Sequence, residues 1–85
     1  MKKAVITTKE ILEGKQIVLS ILRDIDDEWQ FFSDYEPENC QIMVTAMDNL
    51  LRIDKSLHFI IDELKINQFA TRNSIDDNWR IENYE

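Results

Sequence analysis

The chain has 85 residues and a net charge of −7, with 44% hydrophobic and 32% charged residues. This length fits one small domain over residues 1–85, and the apolar fraction is too high for a disordered chain. The excess of acids argues against nucleic acids and anionic membrane surfaces as partners, because clustered Lys and Arg bind both. No apolar run approaches the ~18–20 residues that a membrane span needs.

The N-terminal segment and the cysteine count predict a cytoplasmic protein. Residues 1–8 begin with a basic stretch but lack the apolar core of ~7–15 residues that defines a signal peptide. The single cysteine, Cys40, cannot form an internal disulfide, which agrees with a reducing compartment.

The first part of the chain predicts a short strand, one helical turn and a hairpin. The β-prone run 4–7 is followed by Thr8 and Gly14, which are placed to begin and to end a turn of helix. Alternating apolar residues predict hairpin strands over 16–24 and 28–33, joined by an Asp-rich turn.

The two hairpin strands differ in what their faces carry. Both faces of the first strand are largely apolar, so we expect it to be central in a sheet and covered on each side. In the second strand, Trp29 and Phe31 share one face, whereas Gln30 and Phe32 share the other. We expect Trp29 and Phe31 in the core and Phe32 exposed.

The middle of the chain predicts two helices after a short extended segment at 42–44. Thr45 and Asp48 resemble a capping box for a helix that ends near Ile53. Ser56 is placed to cap the second helix, whose apolar residues recur at helical spacing. These residues are Leu57, Ile60, Ile61 and Leu64.

The last segment predicts a second hairpin with strands over 68–74 and 79–84. The order ββ-αα-ββ indicates an α+β fold: an antiparallel sheet of four to five strands with two helices packed on one face. The other face then carries apolar residues to solvent or to a partner. A homodimer through that face is therefore one expectation for so small a domain.

One segment carries the whole negative excess. Residues 24–51 hold eight carboxylates and no Lys or Arg, whereas the rest of the chain holds nine acids and ten bases. Clustered acids attract basic partners, although solvated acidic turns are the alternative interpretation. Aromatic residues beside these acids could anchor an interface. The candidate partner-binding residues are Asp24, Asp26, Asp27, Glu28, Phe32, Asp34, Tyr35, Glu36 and Glu38.

The sequence offers only weak signals for chemistry. The acids of 24–28 lack the glycine of an EF-hand loop, and Cys40 with His58 supplies too few ligands for zinc. A Cys40–His58 pair lacks a signalled third group that would orient it. We expect no enzymatic activity, no cofactor and no metal site, with a small hydrolase or metal-dependent enzyme as an alternative.

The motif Ile-Asp-Asp-x-Trp occurs at 25–29 and again at 75–79. One interpretation is a pair of related hairpins that present acidic tips side by side. The other is that each Asp pair forms a good turn before a strand-forming Trp.

Four short motifs occur between residues 27 and 79. They are Asp27-x-Trp29-Gln30-Phe31, Leu50-Leu51-x-x-Asp54-x-Ser56-Leu57, Ala70-x-Arg72 and Trp79. Their order resembles a family of small bacterial domains of unknown function that is related to immunity proteins of polymorphic toxin systems. The chain departs from that pattern at Lys55, where a Pro is expected, and at 64–67, which lack a Leu-Pro-x-Gly turn. The resemblance implies an α+β fold and a bacterial origin, and it names no enzymatic activity.

The leading expectation is a non-enzymatic, immunity-like interaction module. Its acidic hairpin and loop, from Asp24 to Glu38, would bind a basic partner surface such as the substrate groove of a toxin. A structural or regulatory homodimer of unknown role is the alternative.

Overall fold

A computed structural model describes residues 3–33 and 40–84 of the chain. Within these residues the chain forms six strands and three short helices. In chain order they are β1 (Ala4–Thr8), α1 (Lys9–Leu12), β2 (Ser20–Arg23), β3 (Trp29–Phe32), β4 (Ile42–Ala46), α2 (Met47–Ile53), α3 (Leu57–Glu63), β5 (Gln68–Thr71) and β6 (Arg80–Asn83).

The strands form one mixed sheet in the order β4-β1-β3-β2-β5-β6. Every neighbouring pair is antiparallel except β1 and β3, which run parallel with Ile6 opposite Gln30. The fold is α+β, as the sequence predicts. The described residues contain six strands rather than four or five, because the extended segment at 42–44 joins the sheet as β4. The sheet is mixed rather than antiparallel, because β1 and β3 run parallel.

The helices cover one face of this sheet. The pair α2–α3 connects β4, at one edge, with β5, which lies beyond the centre, and therefore crosses the sheet. The predicted turn after Thr8 forms α1, which contacts β1 and α2, so the described residues have three helices rather than two.

The core lies between the sheet and these helices. Alternate residues of the strands point toward the helices, and the core members from the sheet include Val5, Ile21, Trp29, Phe31 and Ala70. The helical members are Ile11, Met47, Leu50, Leu57 and Ile60. Both predicted core aromatics are thus confirmed.

The sheet is shorter than the sequence predicts at both hairpins. The first predicted strand, 16–24, pairs only over Ser20–Arg23, and β5 ends at Thr71 rather than at residue 74. Leu19 still bonds to Phe32 of β3 and to Arg72, the residue after β5. Val18 breaks the alternation, because its side chain turns into the core. Trp79 precedes β6 and packs against the core from outside the strand.

Helix α1 begins and ends where the sequence predicts. The Thr8 side chain accepts a hydrogen bond from the Ile11 amide (3.2 Å), so Thr8 is the N-cap. Gly14 has φ +78°, and its amide donates to the Ile11 carbonyl while the Lys15 amide donates to Glu10. This is a Schellman ending, which favours glycine at the left-handed position.

The predicted capping box of α2 is wrong. Ala46 is the N-cap of α2, and no side chain caps it. Thr45 belongs to β4, which runs directly into the helix, and its hydroxyl accepts from Asn49 (2.8 Å). Ser56 precedes α3 as predicted, but its hydroxyl donates to Asp54 (2.6 Å) instead of capping.

Candidate protein-binding surface

The sheet face opposite the helices is open and largely apolar. No helix of the described residues packs on it, and we call it the uncovered face. The register places six large apolar residues of five strands on it: Ile6, Leu22, Phe32, Ile42, Val44 and Phe69. Val44 and Ile42 are 69% and 50% exposed, and the others are half-buried. The prediction that β2 is central is confirmed, but the described helices cover it on one side only.

A hollow of about 240 Å³ opens on this face where β4, β1 and β3 meet. Ala4, Ile6 and Val44 form its apolar wall, and Glu28 lies at its rim, level with Ala4. Glu28 is exposed, and no ion pair with another described residue engages its carboxylate. An apolar hollow with a carboxylate at its rim suits a Lys or Arg side chain, whose aliphatic part is apolar and whose end is cationic.

The acidic turn that precedes β3 uses two of its own carboxylates internally. Asp24 Oδ1 accepts from the amides of Asp26 and Glu28, each at 2.9 Å, which closes the turn. Asp27 adopts the left-handed conformation with φ 65° and accepts from Arg23 Nε at 2.6 Å. The Arg23 guanidinium holds the pKa of Asp27 below its usual value.

These contacts divide the predicted partner-binding residues. Asp24 shapes the turn, and Asp27 is paired with Arg23 and, at 3.6 Å, with Lys3. Asp26 and Glu28 remain exposed and without an ion pair in the described chain. Phe32 is half-buried on the uncovered face. Asp34, Tyr35, Glu36 and Glu38 lie outside the described residues.

The two ends of the predicted acidic surface are separated by the length of β3. The turn at 24–28 precedes this strand, whereas Ser33 follows it and lies beside Gln16, whose side-chain oxygen accepts from the Ser33 hydroxyl at 3.0 Å. Cys40, where the described chain resumes, approaches the same Gln16 oxygen at 3.9 Å. The described flanks of 34–39 thus lie at the end of the sheet opposite the acidic turn.

The two Ile-Asp-Asp-x-Trp turns share a local design but do not lie side by side. The antiparallel register of β2 and β5 sets them at opposite ends of the sheet. In each, an arginine lies over the tryptophan that follows: Arg23 at 5.0 Å from the Trp29 ring and Arg72 at 4.3 Å from the Trp79 ring. The interpretation as paired acidic tips is therefore wrong, and the motif is a turn with a stacked arginine.

Residues of the motifs that carry the family resemblance meet in one buried polar cluster. The Arg72 side chain is 1% exposed and donates to Asp54 Oδ2 (2.9 Å), to the Ser56 hydroxyl (2.8 Å) and to the Val18 carbonyl (3.0 Å). Its guanidinium stacks on Trp79. The cluster ties the α2–α3 link to the second hairpin, so we assign it a structural role. The sequence did not predict this cluster, although its side chains, Asp54, Ser56, Arg72 and Trp79, all belong to the motifs that carry the family resemblance.

Cys40 and His58, the residues considered for catalysis, differ in burial and in neighbours. Cys40 is half-buried beside Gln16. His58 is exposed on α3, where it lines an open hollow with Asp48, Arg52 and Lys55. Among residues 3–33 and 40–84, no group of three or more His, Cys, Asp or Glu side chains could hold a metal ion.

A second hollow, of about 170 Å³, lies under the α2–α3 link. Its wall is mostly aliphatic, with Ile11, Val18, Leu50 and Ile75 among the lining residues. The one acidic side chain there is Asp54, which is committed to Arg72. This hollow therefore lacks a free acid, base or nucleophile from the residues that line it.

Comparison with protein-family models, with curated proteins and with solved structures found no match. In the described part of the chain, no helix has the length and hydropathy of a membrane span. The fold and its surfaces define a small α+β protein whose sheet has one helix-covered face and one uncovered face.

Proposed function

We propose that this protein is a non-enzymatic interaction module that binds a basic surface of a partner protein through its uncovered sheet face. The observation that carries the proposal is the set of apolar residues on the uncovered face, of which Ile42 and Val44 are exposed, together with Glu28 at the rim of the hollow. Large exposed apolar patches with polar rims are typical of protein–protein interfaces.

Charge complementarity supports a basic partner. The protein carries −7, and residues 24–51, which include β3 and β4, hold no Lys or Arg. Opposite charge accelerates encounter and disfavours like-charged partners. The resemblance to immunity-related domains makes a basic groove of a toxin the partner class that we favour. A homodimer through the same face is the second candidate, and the mutual repulsion of two acidic copies weighs against it.

The proposal is tested by titrating isotope-labelled protein with a blocked seven-residue peptide that alternates Lys and Val, followed by NMR. We expect amide shifts at Ile6, Glu28 and Val44, and an affinity that falls as salt rises. The matching peptide that alternates Glu and Val should not bind.

A matched pair of charge reversals sharpens the test. Glu28→Lys should weaken binding about fivefold, the factor that corresponds to an ion pair of about 1 kcal/mol. Glu82→Lys makes the same charge change on β6, on the same face but at the far edge, and should have little effect. Absence of binding to the uncovered face, or equal binding of the acidic peptide, would overturn the proposal.

A further inference from the structure

We infer that the basic partner contributes an extended segment that adds to β4 as a further strand. This inference rests on the proposed function and names how the same surface is used. β4 is one of the two edge strands of the sheet and pairs only with β1 among the described residues. An edge strand offers unpaired backbone groups to another chain.

The register shows which backbone groups of β4 face outward. The Lys9 amide donates to the Gln41 carbonyl (2.8 Å), so the odd-numbered residues of β4 bond to β1. The N–H and C=O groups of Ile42 and Val44 therefore point away from β1. They supply two donors and two acceptors to a strand that lies alongside.

Within the described residues of β4, none of the residue types that commonly oppose strand addition is present. Its five residues, Ile42–Ala46, contain no charge, proline or glycine. The opposite edge, β6, carries Arg80 and Glu82 within four residues. Charged side chains on an edge oppose pairing with other chains, so β4 is the more receptive edge.

Strand addition at β4 would extend the uncovered face toward the partner. The exposed side chains of Ile42 and Val44 lie on that face, and alternate side chains of an added strand would lie beside them. Val44 also lines the hollow that Glu28 borders. A Lys or Arg of the added strand can lie across Val44 toward the hollow, since strands are about 4.8 Å apart.

The negative charge of this protein favours a basic segment over a second copy of this chain as the partner of β4. β4 lies inside the stretch that holds no Lys or Arg, and a second copy would bring seven further net negative charges. The described lysines that flank β1 each have an acidic partner, because Lys3 pairs with Asp27 (3.6 Å) and Lys9 with Glu13 (3.9 Å). A cationic segment therefore meets attraction where a second copy meets repulsion.

The test is a pair of substitutions at one outward-facing position. Val44→Pro removes an N–H that bonds to no strand of the described sheet, so that sheet keeps its own ladder while strand addition loses a donor. Val44→Thr keeps that N–H. With the Lys-Val peptide as probe, we expect Val44→Pro to weaken binding about tenfold and Val44→Thr to change it less than about twofold.

A second probe covers the case in which the proline variant does not fold. The same peptide, N-methylated at alternate amides, cannot form the ladder and should bind wild-type protein much more weakly. Full binding of either the proline variant or the methylated peptide would overturn strand addition and leave binding to the face intact. Failure of the unmodified peptide to bind wild-type protein would overturn the proposed function itself.

Sedimentation of the wild-type protein without peptide tests whether a second copy of this chain, rather than a basic segment, pairs with β4. We expect a monomer. A dimer that Val44→Pro abolishes and Val44→Thr preserves would show that a second copy occupies β4, and would overturn the basic segment.

Discussion

Arg72 has the largest set of polar contacts of any single side chain in the described structure. Its buried guanidinium bonds to Asp54, Ser56 and the carbonyls of Val18 and Ile75, and it also lies over an indole ring. A buried charge is tolerated only when its donors are satisfied, so each partner depends on the others.

We predict that Arg72→Met lowers the free energy of unfolding by about 3–5 kcal/mol, because Asp54 is then left nearly buried without its cation. Urea denaturation measures the change. The control is Arg80→Met, which removes the exposed pair with Asp77 and should cost less than about 1 kcal/mol. Equal effects of the two substitutions would contradict a structural role for the buried pair.

Among the elements, the caps of α1 and α2 provide a direct comparison. Thr8 caps α1 with its hydroxyl, whereas the Thr45 hydroxyl caps no helix. We predict that Thr8→Val, which keeps the side-chain volume, lowers the free energy of unfolding by about 1 kcal/mol. Thr8→Ser should retain most of the stability.

Thr45→Val is the matched control for that prediction. It removes a hydroxyl that accepts a part-buried hydrogen bond from the Asn49 side chain and caps no helix, so urea denaturation should show a smaller loss than for Thr8→Val, whose hydrogen bond is buried. A larger loss would contradict the assignment of Ala46 as the N-cap.

Local patterns predict most of the elements because their causes are local. Alternation and turn residues indicate both hairpins, and the spacing of Leu57, Ile60 and Leu64 indicates α3. The cap of α1 also follows from neighbours in sequence. The capping box at Thr45 fails because pairing with β1, forty residues away, holds Thr45 in a strand.

The sheet order could not be predicted, and the candidate surface depends on it. The hollow beside Glu28 exists only because β1 lies between β3 and β4. The Asp54–Arg72 cluster likewise joins residues eighteen positions apart. Acidic composition pointed to the 24–28 turn, but only the structure separates Asp27, which is ion-paired, from Glu28, which is not.

For the whole molecule, two carboxylates at opposite ends of the sheet link stability to pH. The hydrogen bond from Arg23 lowers the pKa of Asp27, and the amide of Asn73 is the largest cause of the lowered pKa of Asp77. A lowered folded-state pKa contributes stability above the ordinary value of 3.8, and this contribution is lost as pH falls through the folded-state pKa.

We therefore predict that Asp27→Asn combined with Asp77→Asn reduces stability near neutral pH and flattens its decline below pH ~4. Thermal unfolding between pH 7 and 2 measures both effects. Asparagine also suits the left-handed conformation of residue 27, so the backbone strain is unchanged. If the double variant loses stability below pH ~4 as steeply as the wild type does, Asp27 and Asp77 are not the source of this pH dependence.

The position of β1 has a consequence for how the protein is made. Among the six described strands, β1 is the first to be synthesised, and it is an interior strand of the finished sheet, flanked by β3 and β4. Its ladder with β4 pairs Ala4 with Ala46, which lies 42 residues later in the chain. During synthesis, Ala4–Thr8 therefore cannot complete its pairing until both β3 and β4 have been made.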